Sequence, residues 1–272
     1  MLNLRPTLPL FKVLFPLALI SIAYYFCYTR VGAFTPAQII SDIENDPQWE
    51  TAPMENEHIL KQTFYYMGSG DQSYAFLGED GKTVLKLFKH LDKKGKKPLE
   101  AIFKSCKIAY EELQEETGLL YLHLNKTPTF FVKIVDKLGI SHYLDINATE
   151  YALQKKADNL IFPTLLALYR KGDLEKVKTH IKNLFHLIEN RSLKGIGDRD
   201  TALRRNFGYL AGKSINIDIG SFFHDETLKT PAKIHEEIKS KTTRLYRWLK
   251  KHAPDLVPFY EQELGSYTIR EK

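Results

Sequence analysis

Cysteine is nearly absent from this 272-residue chain: there are two, and Cys27 lies in an apolar N-terminal run, which leaves Cys106 alone in the remainder. An intramolecular disulfide framework and a cysteine-based zinc centre are thereby excluded. The nine histidines are scattered and show no H-E-x-x-H spacing, so that metalloprotease arrangement is absent too. Glycines 68 and 70 are followed by a strand pattern rather than a helix, which speaks against a dinucleotide-binding fingerprint. Long disordered tracts are not expected either, because 43% of the residues are hydrophobic and 26% charged. What remains is enough chain for one large core or two lobes sharing a cleft. The net charge of +6 suits a phosphate-bearing ligand or an anionic surface, although such an excess is ordinary for solvated lysines. Nothing calls for nucleic acid.

Residues 13–28 carry no charge and follow Arg5 and Lys12. Together with residues 8–11 they approach the roughly 20 residues that span a bilayer. This predicts a single-pass N-terminal membrane helix over residues 8–28, with Tyr24, Tyr25 and Tyr28 as an interfacial belt. A signal segment cleaved near Val31-Gly32-Ala33 is the alternative. The expected division is an anchor or signal over 1–34, a linker with a short helix capped by Thr35 over 35–60, and folded lobes over 61–147 and 148–272.

Apolar runs at 64–67, 74–77 and 83–88, joined by Gly68-Ser69-Gly70-Asp71-Gln72-Ser73 and a Glu79-Asp80-Gly81 turn, predict a three-stranded meander. Backbone at Gly68 and Gly70 can approach a phosphate closely. Lys86 stands among Val84, Leu85, Leu87 and Phe88, an unusual setting for a solvated lysine. The basic run at 93–97 reads as a loop. A helix is expected over 99–122, with Ile102, Cys106, Ala109, Leu113 and Leu120 on its apolar stripe and Glu112 and Glu116 beside it. Runs at 129–135 and 141–146 predict a hairpin that completes a five-stranded sheet. Residues 147–150 are the expected hinge, and helices are expected over 148–191, the clearest opening at the N-cap Asp173.

Residues 195–220 hold three acid or amide side chains at suggestive spacing: Asp200, Asn206 and Asp218. A hairpin from Phe207 through a turn at 211–213 to Ile217 carries Asp218 back beside Asn206. The order of features resembles the protein kinase-like superfamily, with Asp198-Arg199-Asp200 where H-R-D stands and Asp218-Ile219-Gly220 where D-F-G stands. Gly-Ile-Gly-Asp198-Arg199 is also similar to the catalytic opening of phosphoinositide kinases, which makes Asp198 the alternative acid. The match departs from the pattern in lacking the His and in having one residue too many between Asp200 and Asn206.

The resemblance implies an α+β, bilobal kinase-like fold. It has a five-stranded antiparallel N-lobe sheet with one helix and a mainly helical C-lobe, here preceded by the transmembrane helix. It implies ATP and Mg²⁺ as cofactors: Gly68, Ser69, Gly70, Ser73 and Lys86 on the phosphates, Glu112 paired with Lys86, and Asn206 and Asp218 on the metal. Asp200, or Asp198, would take the proton from an acceptor hydroxyl. The short stretch after Gly220 implies a reduced C-lobe, with the acceptor a protein, lipid or sugar. The alternative function is a pseudokinase acting as a membrane-tethered binding module.

Overall fold

The computed structural model describes residues 8–31, 34–90 and 99–267. Arg5, Gly32, Ala33 and the basic run at 93–97 lie outside the described residues, and the readings that rested on them stay there. In chain order come α1 (Leu8–Val31), β1 (Thr63–Ser69), β2 (Ser73–Gly78), β3 (Thr83–Phe88), α2 (Leu99–Glu112), α3 (Gln114–Thr117), β4 (Leu119–His123), β5 (Phe131–Val135) and β6 (Ser141–Asp145). The chain continues with β7 (Tyr151–Lys155), β8 (Asn159–Leu160), α4 (Ile161–Arg170), α5 (Leu174–Leu193) and β9 (Ile196–Asp198). It closes with α6 (Leu203–Asn206), β10 (Phe207–Leu210), β11 (Lys213–Asn216), β12 (Phe222–His224), α7 (Pro231–His252) and α8 (Val257–Ser266).

The expected five-stranded antiparallel sheet is corrected to a mixed sheet of seven strands in a mixed α/β chain, in the order β4-β7-β3-β2-β1-β5-β6. It is mixed because β1 runs parallel to β5, with Phe64 beside Ile134, and antiparallel to β2. The two unforeseen strands, β4 and β7, come from segments expected to be helical. Both are buried on nearly every residue, and a short apolar run buried on both faces has no alternation to separate strand from helix. The helix expected over 99–122 ends at α3, where Gly118 takes a left-handed φ of +68°. The chain leaves the sheet after β7 and crosses at 156–158, not at 147–150.

Strand alternation sorts the sheet into two faces. Phe64, Tyr74, Phe76, Leu85, Leu87, Tyr151 and Leu153 share one core with Tyr121 of β4 and Val132 and Ile134 of β5. Since β4 and β5 lie near opposite ends of the strand order, the sheet curls around that core. The other face packs on α2 through Phe88, Ile102, Phe103, Cys106, Leu122 and Ala152. The segment over 35–60 is a strap rather than a loose linker, and Thr35 makes no side-chain cap bond. Its Leu60 and Ile39 enter the first core, and Trp49 packs edge-on to Phe103 at 5.6 Å in the second.

The helical half has its own core, in which Val177, Ile181, Leu184, Phe185 and Ile188 of α5 meet Ile238, Leu245 and Leu249 of α7. Asp173 caps α5 by accepting from Lys176 N at 3.3 Å, as its sequence position anticipates.

The membrane helix is also corrected. Among the described residues no helix is long and apolar enough to cross a membrane. α1 is long, yet Lys12 precedes its apolar stretch, Pro16 interrupts it, and tyrosines begin at 24. The stretch over 13–23, apolar but for Ser21, rises only about 17 Å at 1.5 Å per residue, against a hydrocarbon core of roughly 30 Å. Single-pass localisation, the membrane keywords and the membrane-tethered form of the alternative fall with it. Phe11, Leu17, Ile20 and Ile22 of α1 are exposed.

One local strain is measurable. β10 and β11 pair Leu210 with Lys213, leaving Ala211 and Gly212 as a two-residue turn, both at positive φ (49° and 80°). Such turns favour Asn-Gly, and alanine in the left-handed region costs about 1 kcal/mol. Ala211→Asn is therefore expected to stabilise the protein by about 0.5–1 kcal/mol, read as a higher urea midpoint at unchanged slope.

Candidate functional site

A cleft of about 430 Å³ opens between the sheet and the helical half. Its walls are Met67, Ala75, Val84 and Lys86 from β1–β3, residues 154–160 from the crossing segment, and Arg205 and Ile217 from below. That size suits a small-molecule site. A larger cavity lies on the other face of the sheet, but Lys86 enters this smaller one.

Lys86 enters the cleft from the middle of β3, and its Nζ donates to Ile217 O at 2.5 Å. Burial holds its pKa below the ordinary lysine value, while the Asp218 carboxylate and Cys106 act in the opposite direction. The Lys86–Glu112 pair is not formed. Glu112 sits in the last turn of α2 and meets His224 Nε2 at 3.1 Å, and Glu116 pairs with Lys194 at 2.6 Å. The α2 residue within electrostatic reach of Lys86 is Cys106, two turns earlier, its thiol pushed up by burial.

The hairpin β10–β11 sets the floor. Phe207 pairs with Asn216, and Ile217 N donates to Asn206 O at 2.7 Å. Asn206 and Asp218 thus flank the open end of one hairpin, as its spacing predicts. Asn206 is buried and its Nδ2 has no partner among the described residues. Asp218 is half-buried, and its Oδ1 accepts from Gly220 N at 3.0 Å.

The two aspartates proposed as alternatives differ sharply in setting. Asp198 is 4% exposed and fully engaged. Its Oδ1 accepts from Asp200 N (2.9 Å) and Ser221 Oγ (2.6 Å), and its Oδ2 lies 3.5 Å from Arg191. Asp200 is half-buried, its Oδ1 accepts from Ala202 N at 2.7 Å, and its carboxylate makes no other hydrogen bond or ion pair among the described residues, though it acts electrostatically on Lys241. Pairing of β9 with β12, Asp198 opposite Phe222, brings this loop against residues 218–221.

The glycine-bearing turn is the tip of β1–β2, closed by Gly70 N donating to Ser73 O at 2.9 Å. Ser69 Oγ and Gly70 O both accept from Lys89 Nζ, at 2.7 and 2.6 Å. Gln72 reaches across to Gly220 so closely that a Cβ there would lie 1.8 Å from its Oε1. The turn and the segment at 218–220 therefore touch.

Several positioning residues escaped the sequence reading. Ser105 Oγ donates to Ile219 O and accepts from Phe222 N, both at 2.6 Å, tying 219–222 to α2. Lys241, buried on α7, donates to the carbonyls of Asp198 and Asp200 (3.1 Å for the latter) and so holds the loop from beneath. Buried Gln154 donates to Thr117 O and Asn216 O at 2.6 and 3.2 Å, bridging β7 to β11. Arg191 and Lys241 carried a legible signal, since both continue the apolar stripes of α5 and α7 with a cation. Ser105 carried none.

Among the described residues no group of three or more His, Cys, Asp or Glu side chains could hold a metal by itself. No protein-family profile matches this chain, and a comparison with curated proteins returns no match.

Proposed function

We propose that the chain is an ATP-dependent phosphotransferase of the protein kinase-like kind, moving the γ-phosphoryl of ATP to an acceptor hydroxyl. The observation that carries this reading is that Lys86 enters the cleft within electrostatic reach of Asp218, which flanks the open end of the β10–β11 hairpin with Asn206, while Asp200 lies on the loop that Arg199 N ties to Ser221 O. Gly68 and Gly70 support it as well. Neither has a positive φ, and a Cβ would meet nothing within 4 Å at 68 and only Ser73 O at 3.8 Å at 70. Nothing within the protein demands glycine there, whereas a closely approaching phosphate would.

Magnesium fits the residues present. An oxygen donor set of one carboxylate and one amide, Asp218 and Asn206, matches an ion that keeps waters and phosphate oxygens for its other positions. The Nδ2 of Asn206, buried without a partner among the described residues, is a donor, and a phosphate oxygen rather than the ion would satisfy it. Bound there, the ion would neutralise phosphate charge. Lys86 would hold the phosphates, and Asp200 would orient the acceptor hydroxyl and take its proton. The acceptor is a protein, lipid or sugar alcohol.

A second reading, nucleotide binding without transfer, is favoured by Cys106 standing opposite Lys86 in place of an acid. Both readings predict a thermal shift. ATP with Mg²⁺ at about 100 times its dissociation constant adds roughly 2.7 kcal/mol to the wild type, and Asp218→Ala is expected to lose the Mg²⁺-dependent part. A melting temperature indifferent to Mg-ATP sinks both; a shift without turnover selects the second.

A further inference from the structure

On the face of the sheet away from the cleft, the strap, β4, β7 and residues 125–130 enclose a cavity of about 880 Å³. Its floor is aromatic. The His123 and Tyr151 rings stack at 4.7 Å and 16°, with Tyr121 at 6.0 Å from Tyr151. His123 Nδ1 lies 3.0 Å from Thr149 O, which can only accept, so Nδ1 carries a hydrogen, and Nε2 lies 3.1 Å from Thr127 Oγ1. Burial lowers its affinity for a second proton.

The walls are held in place without a ligand. Asn45 Nδ2 donates to Lys126 O (2.9 Å) while its Oδ1 accepts from Lys126 N (2.7 Å). Asn125 does the same to the backbone of Asp46, at 2.9 and 3.1 Å. Four bonds therefore clamp the strap to the opposite wall, so the space is preformed.

Two features are left over. Tyr151 is 1% exposed, lines the cavity, and its hydroxyl has no hydrogen-bond partner among the described residues. At the rim stand Asp46, Glu50 and Glu57 against the single cation Lys126, in a chain whose net charge is +6. Asp46 is spent on capping Gln48, but Glu50 and Glu57 are exposed and in no ion pair among the described residues. The Glu57 carboxylate is close enough to act electrostatically on both Tyr121 and Tyr151.

We propose that this cavity binds a small organic cation, an amine carried on a flat apolar body that lies against the half-buried Phe130 and Met54 and whose ammonium faces Glu57 and the Tyr151 hydroxyl. Ring faces and carboxylates both attract a cation, and the same set repels an anion. The site is independent of the phosphotransferase reading, and it lies close by: Leu87 pairs with Tyr151 and the adjacent Lys86 with Ala152, on opposite faces of β3 and β7.

The test is isothermal titration of the full chain with tryptamine and with indole-3-propionate, which has a similar ring and the opposite charge. Expected is saturable 1:1 binding of tryptamine, at least tenfold weaker binding of the acid, and at least threefold weaker tryptamine binding in each of Glu57→Gln and Tyr151→Phe. Glu57 is exposed, and Tyr151→Phe keeps the ring, so both variants leave the packing in place. Absence of saturable tryptamine binding, equal binding of the acid, or wild-type affinity in either variant overturns the proposal.

Discussion

Asp200→Asn is expected to lower the turnover of Mg-ATP by roughly 10²–10⁴-fold, the range for a removed general base, with no change in melting temperature. Asparagine has the same shape and keeps an Oδ1 that can accept from Ala202 N, the one hydrogen bond the Asp200 carboxylate makes. The loop backbone is held independently, by Lys241 on the carbonyls of residues 198 and 200. On the proposed phosphotransferase reading, only the proton-accepting oxygen is lost. Asp198→Asn makes the opposite prediction. Its new NH₂ faces the guanidinium of Arg191, which lies 3.5 Å from the present Oδ2, and a buried donor without an acceptor costs about 1–3 kcal/mol. Stability falls in that variant, while turnover of the folded fraction stays within a few-fold of wild type. Turnover is read as transfer of labelled γ-phosphoryl to water or an alcohol, and stability by urea melts. A stable but inactive Asp198→Asn beside a fully active Asp200→Asn would exchange the two roles.

Much of this arrangement is legible in the sequence where the local signal and the tertiary requirement agree. β1–β3 are short apolar runs, their turns carry glycine, and the strand ends fall within two residues of the runs at 64–67, 74–77 and 83–88. The β10–β11 hairpin is marked by Ala211-Gly212, and α5 by its cap at Asp173. Where burial is nearly complete the pattern goes silent, because β4 and β7 are buried on both faces and read equally as helix. The lysine on β3 was evident from its apolar neighbours, but its partner was not. A Glu112 partner for Lys86 requires a helix running on to 122 with that side chain turned inward, whereas α2 stops at 112 and turns Glu112 toward His224. The apolar N-terminal run gave the opposite error: composition alone resembles a membrane span, while length between the interrupting residues decides.

Cations in apolar stripes were the strongest signals left unused, and they explain how the loop at 198–200 is held. Arg191 follows Ile188 by three positions on α5, and Lys241 follows Ile238 by three on α7. Helical spacing turns each inward, toward Asp198 and Glu237. Burial lowers the Lys241 pKa, with Glu237 and Asp198 opposing it, so its charge depends on those carboxylates. A buried cation surrounded by acids and carbonyls fixes a backbone more rigidly than an apolar contact can, because its hydrogen bonds have direction.

Arg191→Met is accordingly expected to cost about 3–5 kcal/mol, the range for breaking a buried ion pair by removing one partner. Arg191 is 0% exposed, and its guanidinium meets Glu237 at 2.8 Å, Asn216 Oδ1 at 3.3 Å and Asp198 at 3.5 Å. Methionine fills the space but leaves Asp198 and Glu237 to share Lys241, which lies 3.7 Å from Glu237. Lysine is not expected to rescue the loss, since a single ammonium cannot reproduce a planar fork that reaches three groups. Coupling provides the check. Adding Glu237→Gln to Arg191→Met removes one of the stranded carboxylates, so the double variant should be less destabilised than the sum of the single changes by 0.5–3 kcal/mol, roughly the range for contacting charges. Urea midpoints of the four proteins decide it, and additivity, or a loss below about 1 kcal/mol for Arg191→Met, would remove Arg191 from its place as the anchor of the loop.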